Sequence, residues 1–245
     1  MEYKYELSEG RIILSDDLEG CLKLIAEGIP AILILDKNSG ENIPGIPYAV
    51  TRRALDTPGV VNEEYLNRVI MRFKHKPWHI LDTERCSLRE LTADDLDSIY
   101  GLYTDESILA YTEGPHKDRD KELEYMEKYI RQVYEAREIG SWGVFLKGTD
   151  SLIGRAGYQF VKGSDIPELE YVIAAPYQRH GYATEVCSAV LEYGREKAGL
   201  KTVNLRIISE NTASIALAGR LGFVFTDKFV RKEDGRSILR YTIQL

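Results

Sequence analysis

The chain has 245 residues, of which 44% are hydrophobic and 29% are charged, the balance of an ordinary soluble globular protein. This amount of apolar material excludes general disorder, and the length allows one large domain or two small ones. The formal net charge is −7. An acidic chain argues against nucleic-acid binding, because such proteins cluster Lys and Arg against phosphates.

The spacing of the cysteines and the composition of the N-terminus favour a cytoplasmic protein. Cys21, Cys86 and Cys187 are widely spaced and odd in number, so neither a disulfide framework nor a zinc site is expected. The first residues are charged and lack the apolar core of a signal peptide. The longest apolar runs are too short to span a bilayer. We therefore expect a cytoplasmic protein without a membrane partner.

The first part of the chain, residues 1–82, predicts a small α/β domain. Apolar strands flank a segment with hydrophobic residues at helical spacing, which is the pattern of a β-α-β unit. The expected elements are strands at 11–14 and 31–35 with a helix between them, a loop rich in Gly, Pro and Asn at 36–47, a short strand at 48–50, and a helix at 62–75.

Residues 83–245 predict a second domain with the element order β-α-α-β-β-β-α-β-α-β-β. Thr92 and Asp95 have the spacing of a capping box at the start of the first helix. The second helix is expected from Lys121 to Arg137, with its apolar residues on one face. This order predicts an α/β (α+β) fold in which a mostly antiparallel mixed sheet carries helices on both faces.

The hexapeptide Gln178–Ala183 (QRHGYA) lies between a predicted strand and a predicted helix. A glycine-centred turn that opens a helix presents backbone N–H groups and the positive end of the helix dipole to an anion. Gly181 would let the backbone approach a phosphate closely. The hexapeptide alone leaves open whether it is a phosphate-binding loop or only a turn that needs glycine.

A second motif follows downstream and supports the first. The residues ELEYVIAAPYQRHGYATE, with NTAS and LGFV after them, resemble the GNAT superfamily of acyl-CoA N-acyltransferases. Within it they look most like the branch of the ribosomal-protein N-terminal acetyltransferases. The resemblance covers 83–245 and implies the GNAT fold, acetyl-CoA as cofactor, an amine as acceptor and no metal.

The resemblance also implies which residues bind the cofactor. The strand of Tyr171, Val172 and Ile173 would diverge from its neighbour and bind the pantetheine arm, and a backbone N–H near Ile173 would polarise the thioester carbonyl. Asn211 and Ser214 would contact the pantetheine region. The diphosphate loop would consist of Gln178, Arg179, His180, Gly181, Tyr182, Ala183 and Thr184.

The catalytic positions depart from the family pattern at two places. Glu168 matches the general base of the branch, whereas Glu170 shares its strand face but stands where relatives usually have glycine. Both remain candidates, as does a base supplied by water. The position of the usual tyrosine general acid is Ala218. An alternative to the enzyme is therefore a catalytically silent acyl-CoA-binding module.

The acceptor is less well defined. The loop between the first two helices usually shapes the acceptor pocket, so Tyr111, Thr112 and Glu113 are candidates for binding a small-molecule or peptide amine; a solvated loop is the alternative. Cys187 could be an acyl-accepting nucleophile, but its apolar neighbours favour a buried core residue. Dimers are common in the resembled family, so a homodimer is compatible with the sequence.

The N-terminal unit has a weaker resemblance of its own, over about residues 10–70, to part of the haloacid-dehalogenase-like phosphatases. Asp16 and Asp17 match the acidic pair that binds magnesium in that family. The nucleophilic Asp-x-Asp motif has no counterpart ahead of them, so a working phosphatase is not expected. A scaffold, a dimer contact or an acceptor-side wall is the expected role of residues 1–82.

Overall fold

The computed structural model describes residues 1–36, 43–134, 139–161 and 163–245, and it divides into two compact units. The first unit is Met1–Trp78 with Ile130–Ala136, and the second is His79–Tyr129 with Arg137–Leu245. The loop expected at 36–47 and the helix end expected at Arg137 fall partly outside the described residues. Within them, no helix is long and apolar enough to cross a membrane.

The first unit contains a four-stranded sheet in the order β1-β2-β3-β4. Its strands are β1 (Glu2–Leu7), β2 (Gly10–Ser15), β3 (Ala31–Leu35) and β4 (Ala49–Thr51), and its helices are α1 (Leu18–Ala26), α2 (Arg52–Asp56) and α3 (Glu63–Phe73). β2 and β3 pair in parallel around α1, so the expected β-α-β unit is present. β1 was not predicted; it alternates half-buried and exposed residues against β2.

The second unit contains an eight-stranded sheet in the order β11-β12-β10-β9-β8-β7-β6-β5. Only β9 and β10 pair in parallel among its described strands. The strands are β5 (His79–Asp82), β6 (Cys86–Arg89), β7 (Ser141–Leu146), β8 (Ser151–Gln159), β9 (Glu168–Ile173), β10 (Thr202–Ile208), β11 (Val224–Val230) and β12 (Ser237–Gln244). The expected mostly antiparallel sheet is confirmed.

Helices cover both faces of this sheet. They are α4 (Leu96–Leu102), α5 (Glu106–Leu109), α6 (Arg119–Tyr129), α7 (Tyr182–Glu196) and α8 (Thr212–Arg220). On one face, Leu96 and Met126 from α4 and α6 pack with Phe145 of β7. On the other face, the hydroxyl of Tyr158 donates to the Val190 carbonyl of α7.

The helix boundaries follow local capping. The Thr92–Asp95 capping box is present and starts a short 3₁₀ turn that leads into α4, because it satisfies backbone donors at the helix start. The second predicted helix is shorter in its α-helical part. α6 ends at Tyr129, and Ile130–Tyr134 continue with the wider spacing of a π-helix.

Candidate active site

An opening between β9 and β10 is the central feature of the second unit. Their ladder consists of the single pair Glu168–Asn204 in the described structure, with the Asn204 N–H donating to the Pro167 carbonyl at 2.9 Å. Beyond that pair the two strands are no longer joined by the ladder. The resemblance implied such a divergence, and the structure has it at the start of β9.

The backbone of β9 presents alternate N–H groups to this opening. On the side away from β10, the Ala174 N–H donates to the Ile153 carbonyl of β8 at 2.8 Å. Because successive N–H groups of a strand alternate in direction, those of Tyr171 and Ile173 point toward the opening. Val172 was expected to bind the pantetheine arm with them, but its register with β8 directs its N–H to that strand. The expectation for Val172 is therefore corrected: its backbone belongs to the β8 ladder.

The loop that follows β9 has an unusual backbone. Arg179 has φ 62° and Gly181 has φ 87°, so a non-glycine residue and a glycine both adopt left-handed conformations. Gly181 is the N-cap of α7. In the described part of the chain, the backbone N–H groups of Gly181–Thr184 find no acceptor. Such unpaired amides at a helix N-terminus, joined to a left-handed turn, form an anion-binding concavity.

The side chains of the loop bond to its own backbone. The Gln178 side-chain amide donates to the Ile173 carbonyl at 2.9 Å, which fastens the loop to the end of β9. Nδ1 of His180 donates to the Gln178 carbonyl at 2.7 Å. These bonds leave the amides of the loop as its free donors. A glycine with no side chain at the N-cap and unpaired N–H groups fit a diphosphate.

A carboxylate network that the sequence did not reveal lies beside this loop. Glu185 of α7 accepts hydrogen bonds from the Thr83 hydroxyl (2.6 Å), the Arg85 N–H (2.8 Å) and Arg85 Nε (2.7 Å). Burial alone would raise the pKa of Glu185, but these hydrogen bonds and the Arg85 charge lower it. No spacing signal joins these residues, because they are about 100 positions apart in the chain and meet only where α7 contacts the segment before β6.

Glu168 is buried at the start of β9 and paired with a cation. Its Oε2 lies 2.5 Å from Nε of Arg206 on β10, and the Gln159 side chain donates to the same oxygen at 3.4 Å. Within the described residues Oε1 has no partner. Burial raises the pKa of Glu168 despite the opposing Arg206 charge. A buried carboxylate with a raised pKa and one free oxygen is a candidate proton acceptor.

Glu170 lies two residues further along β9 and therefore on the same face as Glu168. It is half-buried, and no hydrogen bond or ion pair of its carboxylate is found in the described residues. Burial raises the pKa of Tyr129 at the end of α6, and the Glu170 charge adds to that effect. The Tyr129 hydroxyl accepts the Ser141 N–H at 2.7 Å. Glu170 thus lies near a tyrosine of α6.

The cofactor residues expected on α8, Asn211 and Ser214, form hydrogen bonds within the protein. Asn211 is the N-cap of α8, and its side-chain oxygen accepts the Ser214 N–H at 3.1 Å. The Tyr171 hydroxyl donates to Ser214 Oγ at 2.8 Å across the face of β9. Ala218 follows one turn later and is fully buried. The structure brings Tyr171, Asn211 and Ser214 together and offers no ionisable side chain at position 218.

The expected acceptor loop lies against the β11–β12 hairpin. Arg236 of the hairpin donates to the Ala110 carbonyl at 2.7 Å. Tyr111 and Glu113 are exposed. The Thr112 hydroxyl donates to the Ile108 carbonyl at 2.9 Å. Thr112 is therefore used in local capping, whereas Tyr111 and Glu113 are available to a ligand.

The remaining candidates, Cys187, Asp16 and Asp17, have surroundings that favour structural roles over catalytic ones. Burial raises the pKa of the Cys187 thiol, and the side chain is fully buried, so it is not a nucleophile that a substrate can reach. In the first unit, Arg52 pairs with Asp16 at 3.1 Å and with Asp36 at 3.2 Å. Asp17 is the N-cap of α1. No group of three or more His, Cys, Asp or Glu able to hold a metal occurs among the described residues.

Comparison with known proteins identifies the family of the second unit. Residues 85–224, more than half of the chain, match the family model of the acetyltransferase (GNAT) domain. The uncharacterized N-acetyltransferase YoaA of Bacillus subtilis is 27% identical over 145 residues, which cover 59% of this chain and 82% of that protein.

Two solved structures show the same fold. RimL, a ribosomal alpha-N-protein acetyltransferase in complex with coenzyme A, has a TM-score of 0.60 at 13% identity, over 69% of this chain and 98% of its own. A chimera of the spermidine N-acetyltransferase SpeG from Vibrio cholerae and hSSAT has a TM-score of 0.54 at 23% identity, over 66% of this chain and 96% of its own. The chain therefore belongs to the GNAT acetyltransferase family and is an acyl-CoA-dependent N-acetyltransferase.

Proposed function

We propose that this enzyme transfers an acetyl group from acetyl-CoA to a primary amine by direct attack in a ternary complex. The observation that supports this most is the divergence of β9 from β10 immediately after the Glu168–Asn204 pair. It leaves free backbone donors along β9 that lead to the anion-binding N-terminus of α7. Two carboxylates, Glu168 and Glu170, lie on the same strand.

The cofactor would be held mainly by backbone groups. The N–H groups of Gly181–Thr184 would bind the diphosphate, and those of Tyr171 and Ile173 would bind the pantetheine arm, with Asn211 and Ser214 beside it. Acetyl-CoA, when bound, supplies a thioester carbonyl carbon that an amine can attack. Of the two free donors of β9, the N–H of Tyr171 is the one that we assign to the carbonyl oxygen, because it lies closer to Glu168 along β9 and a fixed donor there stabilises the charge that develops.

The ammonium group of the acceptor must give a proton to a base before its nitrogen can attack, and we assign the role of that base to Glu168. Its raised pKa and its free Oε1 favour proton acceptance, while Arg206 holds the carboxylate in one orientation. Glu170 is the second candidate. Its more exposed carboxylate suits binding of the cationic acceptor. The departing thiol is a tolerable leaving group, so the absence of an acid at Ala218 is compatible with turnover.

The acceptor is proposed to be an amine of a small molecule or of a peptide. The structural neighbours above are named for a ribosomal protein and for spermidine, which are amine acceptors of these two kinds. Tyr111 and Glu113 are exposed beside the β11–β12 hairpin, and we propose that they contact the acceptor. Thr112 would contribute its backbone, because its hydroxyl is already bonded.

Thiol release from acetyl-CoA, measured against a panel of polyamines, amino acids and peptides, tests the proposal. We expect turnover with at least one primary amine and a large loss in the Glu168→Gln variant. Glu192→Gln, an exposed glutamate of α7, is the matched control and should retain the activity. Absence of amine-dependent thiol release from a protein that binds CoA would contradict the proposed reaction.

We propose that the first unit is not catalytic. Arg52 pairs with Asp16 and Asp36 at the ends of two strands, which places a cation where a phosphatase would need a magnesium ion. Phosphatase activity with magnesium that is lost in the Asp16→Asn variant would contradict this assignment.

A further inference from the structure

Arg85 contacts three parts of the loop and helix that carry the proposed diphosphate site. It lies directly before β6, and its Nε donates to Glu185 Oε2 at 2.7 Å. Its Nη1 donates to the His180 carbonyl at 3.0 Å. The guanidinium carbon also lies 4.1 Å from the centroid of the Tyr182 ring. A fork of fixed donors can hold all three groups at once, which a lysine could not do.

The bond to the His180 carbonyl fixes a peptide plane. In a trans peptide, the carbonyl and the following N–H point in opposite directions, and the described residues contain no cis bond. Because Arg85 holds the His180 oxygen on one side of the loop, the Gly181 N–H must point to the other side. Arg85 therefore orients the unpaired Gly181 N–H from the opposite side of the loop.

The bond to Glu185 neutralises a charge that would oppose an anion. Glu185 is the fourth residue of α7, about 5 Å along the helix axis from Tyr182. A carboxylate in the first turn favours the helix, but it would repel a diphosphate at the same N-terminus. Arg85 and the Thr83 hydroxyl surround Glu185 with donors, so the network adds no net negative charge beside the loop.

We propose that Arg85 is a positioning residue for acyl-CoA: it holds the diphosphate loop in its binding conformation and cancels the charge of Glu185. This inference rests on the proposed use of acetyl-CoA as donor. It predicts that Arg85 affects only those ligands that carry a diphosphate. A residue needed merely for folding would affect all donors equally.

The test compares acetyl-CoA with S-acetylpantetheine, which lacks the diphosphate and the nucleotide. For Arg85→Gln we expect about tenfold weaker CoA binding by calorimetry, the size typical for loss of hydrogen bonds to charged groups. The kcat/KM with S-acetylpantetheine should stay within about twofold of wild type, because that donor makes no use of the loop. Arg85→Lys retains the cation but not the fork, and should give an intermediate loss with acetyl-CoA.

A double-mutant cycle separates the two roles of Arg85. Adding Glu185→Gln to Arg85→Gln should restore part of the CoA affinity, because it removes the uncompensated carboxylate. Arg195→Gln is the matched control: Arg195 lies on the same helix, pairs with Glu196 at 3.0 Å, and should leave CoA affinity unchanged. Thermal unfolding reports whether each variant is folded, and Arg85→Lys and Glu185→Gln replace any variant that is not.

Three outcomes would overturn the inference. Folded Arg85→Gln or Arg85→Lys protein with wild-type affinity for CoA would show that the loop needs no support from Arg85. An equal loss with both donors would indicate a purely structural role. A wild-type chain that does not bind CoA would overturn the proposed function, and the inference would fall with it.

Discussion

Glu168 is the residue whose chemistry matters most to the proposed reaction. Its pKa is raised from the ordinary 4.5 by burial, against the pull of Arg206. A base must be deprotonated to act, so kcat/KM should rise with pH through the raised pKa and then level off. For Glu168→Gln we expect kcat to fall about 100-fold, a typical effect of losing a general base, and this acidic limb to disappear.

The pH profile also distinguishes the two carboxylates. If Glu170 binds the cationic acceptor, Glu170→Gln should raise the KM for the amine and keep the acidic limb of the kcat/KM profile, because the base is unchanged. Loss of the limb in Glu170→Gln and its retention in Glu168→Gln would reverse the assignment.

The three cysteines should be inert in the native protein. Cys21, Cys86 and Cys187 are free, and each is fully buried. Burial raises the pKa of each thiol, and only the thiolate reacts readily. We expect a thiol reagent to label no cysteine of the folded protein and all three after denaturation. Rapid labelling of Cys187 in the native state would reopen its role as an acyl acceptor.

Among the elements, the loop from Gln178 to α7 depends on its backbone more than on its side chains. Gly181 has φ 87°, and a β-branched residue there costs about 1–2 kcal/mol. We therefore expect Gly181→Val to weaken CoA binding at least tenfold, because the strained loop would move the amides. His180→Ala removes a contact to Gln178 only and should change the affinity by less than about threefold. Calorimetry measures both.

Gly199 supplies the control for backbone strain. It also has a positive φ, 65°, and nothing lies within 4 Å of the position that a side-chain carbon would take there. Gly199→Val should lower the free energy of unfolding by a similar amount and leave CoA affinity intact. A larger loss of affinity in His180→Ala than in Gly181→Val would show that side chains, rather than amides, bind the ligand.

The Glu185 network makes a prediction about stability and pH. Although burial opposes it, the bonds from Thr83 and Arg85 lower the pKa of Glu185 below its ordinary 4.5. A lowered folded-state pKa contributes stability that is present above pH 4.5 and is lost as the pH falls through the lowered value. Urea unfolding should show wild type about 1–2 kcal/mol more stable than Glu185→Gln at pH 7. That difference should shrink toward pH 3; a constant difference would contradict the network.

The sequence predicts helices, strands and loops well where the signal lies in neighbouring residues. The capping box at Thr92 and the strand–loop–helix around Gly181 could be read from spacing alone. The strands β1 and β5 were not predicted. β1 is a half-buried edge strand, and β5 begins two residues after Pro77, which interrupts the local pattern. The Arg85–Glu185 and Arg206–Glu168 pairs were not predicted, because residues far apart in the chain meet in each pair only in the folded structure. Arg85 meets a residue of helix α7, and Arg206 of β10 meets a residue of β9.

Strand register determines which backbone N–H groups of β9 are free, and the sequence motif could not determine this. The resemblance implied one role for Tyr171, Val172 and Ile173 together, because a motif match assigns a segment as a whole. The pairing of β9 with β8 gives Val172 the opposite backbone direction from its two neighbours. Which amides of a strand are free depends on the strand beside it, and that information is absent from the segment itself.

For the molecule as a whole, the reaction is assigned to the second unit, whose family membership is shown for residues 85–224. At the divergence of β9 and β10 lie the free backbone donors of β9, the proposed anion site at the start of α7, and the carboxylates of Glu168 and Glu170. The fully buried Cys187 is inaccessible to a thioester, which agrees with the proposed transfer without an acyl-cysteine intermediate. We therefore propose that the acetyl group passes directly from the thioester to the amine.

Mass spectrometry of a single turnover with isotope-labelled acetyl-CoA distinguishes direct transfer from transfer through an acetylated protein. Protein in excess of acetyl-CoA is mixed with an amine that supports thiol release, and both the amine and the intact protein are weighed over time. We predict that labelled acetyl appears on the amine and that the protein never carries it. Labelled acetyl on the protein ahead of the amine, or loss of acetyl-CoA without any acetylated amine, would contradict the account.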